Sequence, residues 1–507
     1  MAAPDRRESG ILLPMTCLPS RFGIGDLGPE AFRFATFLRD AGASLWQVLP
    51  LTATDPGCGS SPYSPTSAFA GSPLLISPEA LVPMGLLDEG DLSRAPAFPP
   101  DRVLYGEVSC FKMELFEKAW RRFERSGGRS RLDAFREREA SWLDGYALFA
   151  TIKGALGGLP WAEWPDGLKR REPGTLASFE RGHADEIAFC CFLQWLFAEQ
   201  MSALRAHMAE LGVELVGDVP VYVTQDCADV WQRPELFDLD EDLAPVSVAG
   251  VPPDYFSEEG QLWGNPVYDW EAMRETGFQW WIDRLRHLLR SFDRVRIDHF
   301  RGLVAYWAVD AGEETAVRGE WRDVPYRELF AKIEEAFPDM PFWAEDLGVL
   351  TPEVEDLRTS LGLPGMLILQ FAFGSPAHNP YAPHSHSPMS VVYTGTHDND
   401  TTKGWHEGGA TAQEKENVSA YVGRELTADE AVMAMIRMAL SSVARTAVIP
   451  MQDWLGLGSE ARVNVPARPF GNWEWRMMPG AASAELAARI RPLVALYGRL
   501  EDAPCHD

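Results

Sequence analysis

The sequence runs to 507 residues, 46% of them hydrophobic, enough chain and apolar material to bury a large core. Its 74 acidic against 46 basic side chains leave a net charge of −28, a field that repels phosphate backbones and anionic lipid and argues against nucleic acid and membrane as partners. Seven cysteines, at positions 17, 58, 110, 190, 191, 227 and 505, show no CxxC spacing, which argues against a zinc ribbon or disulfide framework and predicts a reducing, cytoplasmic setting.

Pro14 interrupts the N-terminal apolar segment after three residues, and no uninterrupted apolar run is long enough to span a bilayer. The first buried-strand candidate is 45–51. From 83 to 181 the pattern turns helical, with stretches at 109–125 and 130–151, polar breaks and no clear strand, which predicts an inserted helical subdomain. A helix follows at 185–211 and a strand at 214–219. Residues 230–270, with the words PVSVAGVPPDYFSEEGQLWGNPVYDW, are too rich in Pro and Gly for a packed element and predict an inserted loop region over a site. Beyond it come a helix at 278–289, a strand at 293–297, a helix at 326–337, and strands at 341–344, 366–373, 390–393 and 447–450. These strand candidates are continuously rather than alternately apolar, which suits burial on both faces. Alternation of strand and helix implies a parallel sheet. At this length, with about eight candidates, the expectation is one α/β domain spanning 1–507, a (β/α)₈ TIM barrel, with an open doubly wound sheet as the alternative.

Four strand candidates end in an acid: LVGDVP at Asp218, VRIDHF at Asp298, FWAEDLG at Glu345 and TGTHDND at Asp398. A single acid after a strand is most often a helix cap, but barrel strands converge at their C-terminal ends, so all four would share one mouth. Clustered carboxylates are unfavourable unless a metal or chemistry using different protonation states requires them. The acids lack EF-hand spacing, and His299 and His397 form no HExxH set, so no metal is assigned, with a structural calcium kept as an alternative. Acid/base work fits better: retaining glycosidases set two carboxyls about 5 Å apart, one to attack the anomeric carbon and one to protonate the leaving oxygen. Arg296, two residues before Asp298 and on the same strand face, favours an ionised Asp298, while the apolar segment before Glu345 favours its protonated form. Most of the eighteen tryptophans suit an ordinary core, but a few lie beside Gly, Asn and Pro in loops.

The segments SPYSPTSAFAG, GVPPDYFS, GQLWGNP, VRIDHFRG, WAEDLG and YTGTHDNDTTKGW resemble, in order and over nearly the whole chain, the signatures of the amylomaltase family of 4-α-glucanotransferases. That resemblance implies an α-amylase-like barrel with Asp298 as nucleophile, Glu345 as general acid/base and Asp398 as transition-state stabiliser. It implies sugar-hydroxyl ligands in His299 and His397, an aromatic sugar platform in Tyr63, Trp263 beside the site, and a loop tip at Tyr255 and Phe256 that curls over the glucan. Asp218, Asn464 and Asn472 resemble further substrate or supporting contacts, and Arg296 is counted with the substrate site. The implied donors are maltooligosaccharides and α-1,4-glucans, the acceptors glucose or another maltooligosaccharide, and no cofactor is expected. Cys58 and Ser109 stand where some members have tyrosines of a secondary glucan site, so the likeness does not extend to that site. PHSHSP at 383–388, Ser72 and Val463 depart from the family only at the periphery. Two rival readings remain: a hydrolase, which shares the covalent intermediate, and a non-catalytic glycan-binding protein on the same scaffold. The aromatic, Pro-rich loop at 251–257 favours transfer, because it can exclude water and hold an acceptor sugar.

Overall fold

A computed structural model describes residues 6–253, 258–348, 350–466, 468 and 470–500. Its strands in chain order are β1 Glu8–Leu12, β2 Leu45–Gln47, β3 Glu214–Val219, β4 Ser247–Val251, β5 Gln261–Pro266 and β6 Arg294–Ile297. There follow β7 Ala305–Asp310, β8 Gly319–Asp323, β9 Phe342–Ala344, β10 Gly365–Ile368, β11 Ser390–Tyr393 and β12 Thr446–Pro450. Eight of them form one parallel sheet in the order β10-β11-β12-β1-β2-β3-β6-β9. The two ends of that sheet meet: Ala344 N donates to Pro364 O at 2.9 Å, and Met366 N donates to Asp346 Oδ1 at 2.7 Å. The sheet is therefore a (β/α)₈ barrel rather than an open one.

Burial explains why continuous apolar runs make these strands. Every residue of β11 and β12 is buried, as parallel strands packed on a filled interior and covered by helices require. Each Val, Leu or Ile so buried contributes about 1.5–3 kcal/mol relative to exposure. Gly10 lets β1 lie close to β2, because a Cβ there would meet Leu45 Cβ at 2.8 Å. The helix Ala184–Glu210 is long and apolar enough to cross a membrane, yet 61% of its apolar window is buried inside the protein, with Phe192, Leu196 and Leu204 in the core.

Several bounds differ from expectation. The stretch 45–51 keeps strand geometry only over β2, and 366–373 is β10 followed by a 3₁₀ turn at Leu369–Phe371. The helical stretch 130–151 is two helices, Arg129–Arg138 and Leu143–Ala155. Between them Glu139 turns inward, accepting from Trp142 Nε1 at 3.0 Å and pairing with Arg290 at 2.7 Å, which breaks the helical path. Residues 230–270 hold two strands where none was expected. There β4 is sandwiched between β5 and β7 in an antiparallel sheet of order β5-β4-β7-β8, and its glycine falls at a register shift between Val248 and Gly250. Pairing on both edges overrides the weak local propensity.

Residues 83–181 hold helices, including Tyr105–Arg125 and Pro173–Gly182, and no named strand among the described residues. Lys112 pins the first of these to the barrel. Fully buried, its ammonium donates to Asp26 Oδ2 at 3.0 Å, Leu74 O at 2.7 Å and Ile76 O at 3.0 Å. Removing one partner of a buried pair strands the other charge, so Lys112→Met is expected to cost about 3–5 kcal/mol in urea unfolding. A loss below about 1 kcal/mol would show that the pair is not desolvated as described.

Candidate active site

The mouth at the C-terminal ends of the barrel strands is organised by one guanidinium. Parallel register places Asp218 of β3 opposite Arg296 of β6, both pointing inward. Arg296 Nη1 donates to Asp218 Oδ1 and Oδ2 at 2.8 and 2.7 Å, and Nη2 donates to Asp298 Oδ1 at 2.7 Å. Burial opposes the charge on Arg296, but the carboxylates of Asp218 and Asp298 outweigh it and hold the group well above its usual value. Burial also pushes the Asp218 carboxyl up, against the pull of Arg296.

From Asp218 the network continues across the mouth. Tyr63 Oη donates to Asp218 Oδ2 at 2.6 Å and lies 2.8 Å from His397 Nε2. With the phenol proton given to Asp218, the hydrogen on that contact belongs to His397 Nε2, which also lies 3.4 Å from Asp398 Oδ2. Asn464 Nδ2 donates to Asp398 Oδ1 at 2.7 Å, and Arg462 Nη2 to the Asp398 carbonyl at 2.8 Å. Tyr63 stacks on the His397 ring at 5.2 Å, with Trp473 tilted beside both.

Glu345 follows the fully buried β9. Its Oε2 accepts from His299 N at 2.7 Å and its Oε1 from Leu347 N at 3.0 Å. The first contact ties Glu345 to the residue after Asp298, so the two carboxyls are neighbours. Burial, then the negative charge of Asp298, pushes the Glu345 carboxyl up to about 8. His299 adopts a left-handed backbone at φ 47°, and Gly302 leaves room for its ring, since a Cβ there would lie 2.8 Å from His299 Cδ2. Burial lowers the His299 imidazole to about 4, so it is neutral near pH 7. Trp263, 37% exposed on β5, stands edge-to-face against His299 at 4.8 Å.

Asn472 has a different setting from the rest. Its amide donates to Arg468 O at 2.9 Å and Val465 O at 3.2 Å and accepts from Val465 N at 2.9 Å, closing the loop that follows Asn464. Tyr255 and Phe256 lie outside the described residues. Arg462, Trp473 and the backbone of Leu347 are site residues that the strand-end rule did not single out, although the first two lie within two residues of Asn464 and Asn472, which the family resemblance named. Among the described residues no group of three or more His, Cys, Asp or Glu side chains is arranged to hold a metal ion. The arrangement sets one carboxylate, Asp298, against a guanidinium, beside a second carboxyl, Glu345, that burial holds protonated.

The chain is 49% identical over 503 residues to the 4-alpha-glucanotransferase of Thermus thermophilus, covering 97% of this chain and 99% of that one. It is 45% identical to the chloroplastic/amyloplastic 4-alpha-glucanotransferase of Solanum tuberosum, covering 98% and 87%. Its fold superposes with a TM-score of 0.94 on the amylomaltase of Streptococcus agalactiae in complex with acarbose, at 35% identity and covering 98% of this chain and all of that one. A family model described as 4-alpha-glucanotransferase matches residues 13–482, and the chain belongs to that family.

Proposed function

We propose that this chain is a 4-α-glucanotransferase working by a retaining double displacement. Asp298 attacks the anomeric carbon of an α-1,4-glucan donor while Glu345 gives its proton to the departing glycosidic oxygen. The 4-hydroxyl of glucose or another glucan then displaces Asp298, returning its proton to Glu345. What carries this reading is the contrast between two adjacent carboxyls, Asp298 on the Arg296 guanidinium and Glu345 raised to about 8. The second of the two causes that raise Glu345 is the Asp298 charge. Glycosylation removes that charge, so Glu345 becomes a stronger acid once the intermediate forms and is ionised when the acceptor needs a base.

The remaining residues support this division of labour. Asp398, steadied by Asn464, faces the mouth as the transition-state stabiliser; His397 and the neutral His299 exchange hydrogen bonds with sugar hydroxyls, and Tyr63 and Trp263 offer flat faces to pyranose rings. Asn472 acts through its loop. Tyr255 and Phe256 belong to a segment that covers the bound glucan and favours an acceptor sugar over water. Residues 83–181 form the inserted helical subdomain and 230–270 the site-covering insertion of a single catalytic domain. A cytoplasmic setting suits the six described cysteines, all free thiols.

Maltotriose supplied alone should yield a ladder of longer maltooligosaccharides together with glucose. Glucose and maltose without longer products would make the enzyme a hydrolase. Initial rates should fall as pH rises through about 8, where Glu345 loses the proton that the first step uses; a rate flat to pH 10 would remove Glu345 as the acid.

A further inference from the structure

The segment joining β11 to the short helix Thr402–Gly404 carries His397 and Asp398 and has no regular secondary structure of its own. Both of its ends are bolted to a single carboxylate. Asp453, in the helix Met451–Leu455 that follows β12, is 2% exposed and accepts from Thr394 Oγ1 at 2.5 Å and Thr402 Oγ1 at 2.6 Å, both on Oδ2. Its Oδ1 accepts from Thr402 N at 2.8 Å. Two hydroxyls, eight positions apart in sequence, thus converge on one oxygen, which fixes the distance between the two ends of the segment.

Between those ends the segment has further ties, among them Ser459 Oγ donating to Asp400 Oδ2 at 2.7 Å. Gln370 Nε2 donates to Asp400 O at 2.8 Å, and Asn399 Oδ1 accepts from Thr396 N at 2.9 Å. Asp398 itself remains 46% exposed; Asn464 holds its carboxylate and Arg462 Nη2 donates to its carbonyl at 2.8 Å, so its position follows its own backbone as well. The path of the backbone through 394–402 therefore decides where the Asp398 carboxylate stands relative to Asp298 and Glu345. A misplacement of about 1 Å can cost roughly 100-fold in rate.

We infer that Asp453 is a positioning residue for the reaction: by tying Thr394 to Thr402 it sets the reach of His397 and Asp398 into the mouth without touching substrate. The inference rests on the role proposed for Asp398. It concerns a side chain 2% exposed and bonded to Thr394 and Thr402, so loss of Asp453 should act on the transition state more than on ground-state binding. Asparagine at this position retains one acceptor oxygen and presents an amide to donors that need an acceptor.

The test measures maltotriose disproportionation by Asp453→Asn, Thr402→Val, Thr402→Ser and Asp398→Asn in the full chain, with a melting curve for each. Asp453→Asn is expected to lower kcat about 30–100-fold with KM within about twofold. Thr402→Val, which removes one hydroxyl at constant shape, should lower kcat about tenfold, and Thr402→Ser, which keeps the hydroxyl, should restore it. Should Asp453→Asn fail to fold, the Thr402 pair decides the matter alone. Wild-type kcat in Asp453→Asn or Thr402→Val, or equal changes in kcat for Thr402→Val and Thr402→Ser, would overturn the inference. Full turnover in Asp398→Asn would overturn instead the role of Asp398 on which it rests.

Discussion

Asp298→Asn is expected to lower turnover of maltotriose by on the order of 10⁴-fold or more, with oligosaccharide affinity changed only a few-fold. An amide cannot supply the negative oxygen that forms the glycosyl ester, so the loss falls on the chemical step. The fold should survive the change, because Arg296 keeps both contacts to Asp218 and an asparagine Oδ1 can still accept from its Nη2. Steady-state kinetics together with calorimetric titration of a maltooligosaccharide separate the two quantities. Undiminished turnover would take the nucleophile role away from Asp298.

Glu345→Gln should lower turnover of maltotriose by about 10²–10⁴-fold, the usual worth of a placed general acid. The first step alone should be largely recovered with α-glucosyl fluoride, whose leaving group departs without a proton, as a rapid burst of fluoride; a first step slowed as much as with maltotriose would show that Glu345 does not protonate the leaving oxygen. Stability should respond as well. The ordinary carboxyl value is 4.5 and the folded one about 8, so between these the folded chain holds a proton that the unfolded chain has released. Wild-type stability must then fall as pH rises across that window. Glutamine cannot ionise and escapes this loss, but it leaves one of the donors His299 N and Leu347 N without an acceptor. The variant should accordingly melt at or below wild type near pH 5 and gain on it steadily toward pH 8. A gap that does not change with pH would mean that the folded-state proton on Glu345 is absent.

The barrel was legible because strands buried on both faces leave continuous apolar runs; β3 and β11 have the bounds expected at 214–219 and 390–393. Strand β1 escaped notice for a packing reason: the space beside Leu45 that demands Gly10 also dilutes the apolar signal of ESGIL. The antiparallel sheet escaped because β5 is QLWGNP, whose identity as a strand comes from pairing with β4 and not from its own composition. At the site, acids at strand ends were visible singly. The connections among them were not, since the Tyr63 contacts to Asp218 and His397 span 155 and 334 positions. Asp453 follows the same rule that drew attention to the other four acids, because it lies just beyond the apolar strand TAVIP.

The position of β1 between β12 and β2 bears on how the protein is made. Glu8 pairs with a strand whose Thr446 lies 438 positions away, so β1, synthesised before the other seven barrel strands, is among the last to gain its second neighbour. Ring closure is a late event of high contact order, with the entropy of a very long loop to overcome before any contact rewards it. Until then β1 presents an open edge that can pair with another nascent chain as readily as with its own β12. The yield of functional protein is accordingly a contest between intramolecular zippering and encounter with a neighbour, and it should rise on dilution during refolding even though β1 is paired on both sides in the finished ring.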